Sequence, residues 1–188
     1  MSRVLVVFAS VDGQTARIAQ RMGGVLAQGG HAVTLRSADA PGLGHEIGVH
    51  DAVLIGASIR YGHHARYVEE LVRAHRAAIA SRPNAFFSVC LSAGGPGARP
   101  DTAAGYIARF SRRTGWSPRQ AASIAGALRY PLYRPVIRFM MRLIVGAAGG
   151  ETDTSREYEY TDWEAVDRFA REFALQFALA RATGAIMA

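Results

Sequence analysis

The feature that most constrains this chain of 188 residues is a rhythm: short apolar runs of strand length, each followed by a loop of small residues and then a helical pattern. The runs are Val4–Ala9, His31–Leu35, Asp51–Ala57, Ala85–Leu91 and Ala121–Ala127. Helices are predicted over Thr15–Gln28, where Ile18, Met22, Val25 and Leu26 share a face and Gly29-Gly30 stop it, and over His64–Ala80, Asp101–Gly115 and Trp163–Ala180. Strands alternating with helices demand a parallel sheet covered on both faces, an α/β architecture. Five strands suit the doubly wound order 2-1-3-4-5, whose ligands lie beyond the carboxyl ends of the strands where the order reverses, between the first and third. One domain over 1–188 is expected, with a surplus stretch, Leu128–Gly150, before the last helix.

The loops at those strand ends are the place to look for chemistry. After the first strand come Ser10, Val11, Asp12, Gly13, Gln14 and Thr15, running straight into a helix. A glycine and small hydroxyl residues free backbone N–H groups to converge, and the helix N-terminus adds its positive end, so a phosphate is favoured. The same residues also suit a plain helix cap. No arginine lies within this loop, so neutralisation would fall to the backbone. After the third strand, Ser58, Ile59, Arg60, Tyr61 and Gly62 permit close backbone approach to a flat ring, on which Tyr61 can stack. After the fourth, Ser92, Ala93, Gly94, Gly95, Pro96 and Gly97 are equally permissive. Three such loops at consecutive strand ends point to a cofactor with a phosphate and a planar heterocycle.

Charge and composition narrow the class further. The net charge is +7, with 18 arginines and 7 acids over residues 1–150 against 4 and 8 over 151–188, and no lysine at all. Such asymmetry implies an anionic partner: a nucleic acid, a lipid surface or an acidic substrate. No nucleic-acid recognition motif is present. Adjacent His63-His64 cannot share a helix face and there is one cysteine, so no metal site is expected. Cys90 falls inside the apolar run Phe86–Leu91 and reads as a buried, inert thiol. No Gly-x-Ser-x-Gly elbow marks a hydrolase. The opening Met1–Phe8 reads as strand rather than leader, and the longest apolar stretch, Val136–Ala148, is broken by Arg138 and Arg142, so the chain is expected in the cytoplasm.

The chain resembles flavodoxin-like proteins throughout. More narrowly, Asp12-Gly13-Gln14-Thr15, Ile55–His63, Ala125–Pro131, Gly149–Thr154 and Tyr160–Glu164 resemble the menaquinone-dependent, oxygen-independent protoporphyrinogen oxidase family of bacterial haem synthesis. That resemblance implies FMN as cofactor, its phosphate held by Ser10–Thr15 and its isoalloxazine flanked by 58–63 and 92–97. It further implies oxidation of protoporphyrinogen IX to protoporphyrin IX, with menaquinone as acceptor. Where the family's loop after the fourth strand is more basic, this one carries Arg99 as its only charge, which weakens that loop's claim on substrate carboxylates. Arg60, Arg129 or Arg134 are candidates to pair with the propionates, and His63 is a candidate proton acceptor. An electron carrier of the flavodoxin type, an NAD(P)H:quinone reductase on the same fold and a non-enzymatic membrane adaptor are the rival readings.

The surplus stretch holds Arg129, Arg134, Arg138 and Arg142 and no acid, the last three recurring every fourth residue beside a broad apolar surface. An interfacial helix needs this pattern, so peripheral association with the inner face of the cytoplasmic membrane is expected. A core-packed helix with snorkelling arginines and a homo-oligomer contact are the alternatives.

Overall fold

Three of the apolar runs lack any polar alternation because both their faces are buried. They are the inner strands β1 (Arg3–Ala9), β3 (Ala52–Ser58) and β4 (Asn84–Cys90). The computed structural model describes residues 1–95 and 97–186, with side chains as far as Phe177; Pro96, named above, lies outside the described residues. The half-buried β2 (Ala32–Ser37) and β5 (Gln120–Ala125) form the edges of an all-parallel sheet in the order β2-β1-β3-β4-β5.

Helices cover both faces. On one, α1 (Gln14–Gln28) and α7 (Trp163–Ile186) bring Ile18, Met22, Leu26, Val166 and Phe173 onto Val4, Val6 and Phe87. On the other, α2 (Leu43–Val49), α3 (Arg66–Ala74), α4 (Arg76–Ala80) and α5 (Pro100–Thr114) cover Leu5, Val7, Ile55 and Phe86. Adjacent Phe86 and Phe87 feed opposite layers, as strand geometry requires. Gly56 is small because the Phe87 ring lies across it: a Cβ there would overlap the ring.

Four departures from the sequence reading have local causes. The helix expected over His64–Ala80 is two, broken at His75, whose ring occupies the space that Gly44 of α2 leaves open. The short α2 was not expected; only Leu43 and Ile47 of it are buried, one i, i+4 pair flanked by glycines. The last sheet strand ends at Ala125, two residues early, because Gly126 turns the chain out of the sheet and accepts a hydrogen bond from Tyr160 N–H at 3.1 Å. The departing chain forms β6 (Ala127–Arg129), antiparallel to β7 (Glu157–Glu159), so the stretch from Leu128 opens as a ribbon rather than a helix.

Between those two short strands lie a 3-10 turn at Tyr130–Leu132 and α6 (Pro135–Ala147). Its inner residues Ile137, Met141 and Val145 pack on a separate small core of Leu128, Tyr130 and Tyr133. Its outer residues Val136, Phe139, Leu143 and Ile144 stay exposed, at 78%, 62%, 57% and 56%. No helix among the described residues is long and apolar enough to cross a membrane.

Candidate functional site

The loops after β1 and β3 meet at the carboxyl rim of the sheet around a cavity of about 130 Å3, lined by Ser10, Asp12, Gln14, Thr15 and Ser58–Arg60. Its remaining wall comes from Cys90, Leu91, Gly126, Tyr133 and Met141. Gly13, at φ +86°, bends the chain into α1, and no side chain caps the helix. The Ser10 hydroxyl is buried without a hydrogen-bond partner. An orphaned hydroxyl beside an uncapped helix start is a polar cradle suited to an acceptor, since buried polar groups otherwise find partners within the protein. The residues therefore fit a phosphate.

A cation reaches this loop from far along the chain, correcting the expectation of a seat neutralised by backbone alone. Arg129, on β6, donates from Nη1 to the Asp12 carbonyl at 2.7 Å and from Nη2 to Gln14 Oε1 at 3.3 Å. At Gly13, glycine suits the positive φ, and a Cβ would also press on the same Nη1, 3.2 Å away. Glu157 pairs with Arg129 Nε at 3.4 Å from across the ribbon. Arg129 thus faces the loop after β1 rather than the outer surface of the inserted helix.

The other predicted residues divide. The Asp12 carboxylate turns to Arg60 Nη2, 2.8 Å away, an ion pair that joins the first and third loops, with the Arg60 guanidinium 5.9 Å from the Tyr133 ring centroid. Gln14 donates to Glu159 and Thr161, both at 2.8 Å, so its side chain anchors the ribbon and only its backbone is left for a ligand. Val11 lines the cavity although largely exposed, whereas Tyr61, at φ +50°, stands 71% exposed at the tip of a turn with Gly62 and does not line it. Arg60 and His63 close that turn through reciprocal backbone hydrogen bonds of 2.9 and 3.0 Å. The His63 side chain is exposed and does not line the cavity, so the structure does not bring it to the site.

Ser92, Ala93, Gly94 and Gly95 stand at the neighbouring rim, where Tyr160 packs on Gly95. Their loop adjoins the cavity through Leu91 and Met141. Burial pushes the Cys90 thiol above its ordinary pKa, keeping it neutral in the cavity wall. Arg138 spends its guanidinium on the carbonyls of Tyr130, Pro131 and Tyr133, at 3.0 to 3.2 Å, leaving Arg134 and Arg142 as the exposed members of the predicted stripe. Sequence reasoning missed Gly126, Tyr133 and Met141; the first two fall inside or beside the Ala125–Pro131 string, the only available signal. No group of three metal-ligating side chains occurs among the described residues.

The flavodoxin domain model matches residues 5–155. A curated relative from Escherichia coli strain K12, protoporphyrinogen IX dehydrogenase [quinone], is 42% identical over 175 residues, 92% of this chain and 94% of the relative. The chain belongs to the protoporphyrinogen IX dehydrogenase family. A second member of that family, from Leishmania major, is 35% identical over 92% of this chain and 74% of its own length. The family is one of oxidoreductases, and its flavodoxin domain implies a flavin. Among solved structures, flavodoxin 2 from Bacillus cereus has the same fold, with a TM-score of 0.57 at 18% identity over 92% of this chain and 98% of that one.

Proposed function

We propose that this chain is an FMN-dependent protoporphyrinogen IX dehydrogenase that hands electrons to menaquinone at the inner face of the cytoplasmic membrane. The observation that carries the reading is the partnerless Ser10 hydroxyl at the uncapped start of α1, with Arg129 brought alongside. A bound anion would satisfy the hydroxyl and the helix start together, beside a positive charge. When bound, FMN would supply a two-electron acceptor that is used three times, with quinone taking each pair of electrons, because protoporphyrinogen IX loses six electrons in becoming protoporphyrin IX.

Each chain residue then has a defined duty. Ser10 and the first N–H groups of α1 would hold the phosphate, with Arg129 balancing its charge. The Asp12–Arg60 pair holds the two loops together over the cavity. Gly126 and Ala127 leave room for a flat group beside Leu91. The neutral Cys90 keeps a negative charge out of the wall. His63, outside the cavity, carries no step.

The exposed stripe Val136, Phe139, Leu143 and Ile144 suits insertion at the acyl boundary, with Arg134 and Arg142 meeting anionic headgroups. A lipid-soluble quinone gives that placement a purpose. The test is anaerobic turnover of protoporphyrinogen IX by purified, FMN-loaded protein with and without menaquinone. Turnover that depends on menaquinone is expected; FMN-loaded protein that leaves protoporphyrinogen untouched under both conditions would end the proposal.

A further inference from the structure

A second cavity, of about 460 Å3, opens beside the first between α6 and the loop that leads into α5. Leu91 and Met141 belong to the walls of both, so the larger cavity lies directly beside the proposed flavin seat. Its volume is that of a small-molecule site. Leu128, Met141, Ile144 and Val145 make it predominantly apolar, and among the described residues no carboxylate lines it.

Arg99 lines the same cavity and forms no side-chain hydrogen bond or ion pair with the described residues. Its backbone is nonetheless fixed: its N–H donates to the Ser92 carbonyl at 2.9 Å, and its own carbonyl accepts from Ala103 N–H at 3.0 Å at the start of α5. Thr102 and Tyr106, one and two turns further along α5, add hydroxyl groups on the same wall. Of the other arginines considered for propionate binding, Arg60 holds Asp12, Arg129 holds the first loop, and Arg134 is exposed and does not line this cavity.

We infer that this cavity is the tetrapyrrole site and that Arg99 is the residue that grips a propionate carboxylate. The inference rests on the dehydrogenase reading and adds to it the place and the specificity residue. An apolar macrocycle with carboxylate arms matches an apolar cavity that carries one uncommitted guanidinium at its edge, whereas a quinone offers that guanidinium no anion. The cavity also opens onto α6, where Ile144 belongs both to its wall and to the exposed stripe, so an apolar substrate held at a lipid surface has a short path in.

Protoporphyrin IX, the stable oxidised product, is titrated into FMN-loaded protein and followed by its own fluorescence, with its dimethyl ester as the uncharged comparator. Wild-type protein prefers the free acid. Arg99→Ala weakens binding of the free acid about ten-fold or more and leaves the ester unchanged, and Arg99→Lys restores part of the loss. Val145→Trp, scored only on protein that retains its circular dichroism and its FMN, weakens both ligands. In turnover, Arg99→Ala raises KM for protoporphyrinogen and leaves KM for menaquinone alone.

Wild-type affinity of Arg99→Ala for both ligands overturns the inference, as does failure of the wild type to bind porphyrin. A rise confined to the menaquinone KM assigns the cavity to the quinone and overturns it too. Wild-type protein that shows the Arg99-dependent porphyrin binding but never oxidises protoporphyrinogen removes the proposed activity and leaves the cavity assignment standing.

Discussion

Arg129 donates to the main-chain carbonyl of Asp12 at 2.7 Å across 117 residues of sequence, so the first loop of the sheet is completed from a ribbon near the other end of the chain. Replacing it with glutamine removes a mostly buried cation beside the proposed phosphate seat. Arg129→Gln is expected to weaken FMN binding by about ten-fold or more, measured by flavin fluorescence during titration of apoprotein. An unchanged dissociation constant would mean that the guanidinium serves only to fasten the ribbon.

Ser10 separates a structural hydroxyl from a ligand-binding one. Because its Oγ is buried and unpaired, Ser10→Ala relieves a desolvation cost in the apoprotein, and chemical unfolding should find the variant equal to wild type or more stable by up to about 1–2 kcal/mol. The same variant should hold FMN more weakly. Loss of apoprotein stability together with unchanged flavin affinity is the opposite pattern and would remove Ser10 from the site.

His64 sets a pH dependence. Its ring meets the stacked Phe86 and Phe110 edge-on, with centroids at 5.4 and 5.0 Å, and its Nε2 is 2.9 Å from Ser88 Oγ. Burial first, then the charges of Arg109 and His63, pull its pKa down to about 4. The unfolded chain, near the ordinary 6.5, takes up the proton first. The stability that His64 contributes is therefore intact above about pH 6.5 and is lost as pH falls toward 4, by about 3 kcal/mol in all. His64→Gln should flatten the slope of unfolding free energy against pH across that window; equal slopes would show that the imidazole is free to charge in the folded state.

Gly56 is committed to packing. A Cβ at this position meets the Phe87 ring inside the sheet, where neither strand can yield. Gly56→Ala should cost about 1–3 kcal/mol, read as a lowered denaturation midpoint at constant m-value. The double variant Gly56→Ala, Phe87→Leu should recover part of that loss.

The outer face of α6 makes its own prediction for membrane binding. Phe139→Asp with Leu143→Asp places two charges in the exposed stripe without touching the inner residues Ile137, Met141 and Val145. Sedimentation with anionic vesicles should fall sharply for this variant, and also for Arg134→Glu with Arg142→Glu. Arg138 is left out deliberately, since its guanidinium caps three carbonyls and its loss would unfold the turn at Tyr130.

Much of this molecule was legible from residue order alone because its central strands are buried on both sides and announce themselves as unbroken apolar runs. Ser10–Thr15 and Ser58–Arg60 could be placed at one rim for the same reason: topology fixes where the ends of β1 and β3 lie. What pattern could not supply was pairing at a distance. Nothing local in Leu128-Arg129 says that it pairs with Tyr158-Glu157, although the alternation Glu157-Tyr158-Glu159-Tyr160 is a strand signal in hindsight. The every-fourth-residue spacing of Arg134, Arg138 and Arg142 was real, yet spacing does not reveal that a carbonyl cluster lies within reach of only the middle one. His63 is a candidate only by its chemistry, and chemistry says nothing about which way a turn presents a ring.

The ribbon that carries Arg129 has a topological consequence. Because Ala127–Arg129 lies alongside Glu157–Glu159, the excursion that includes α6 departs and returns at a single point, like a cassette clipped into an otherwise finished sheet. A tight hairpin joining Arg129 to Glu157 would excise the apolar wall and the surface-facing helix together while preserving the strand order and the cation beside Gly13. The helix that supplies Met141, Ile144 and Val145 is thereby a separable part, whereas Ser10, Arg99 and Arg129 stay with the sheet.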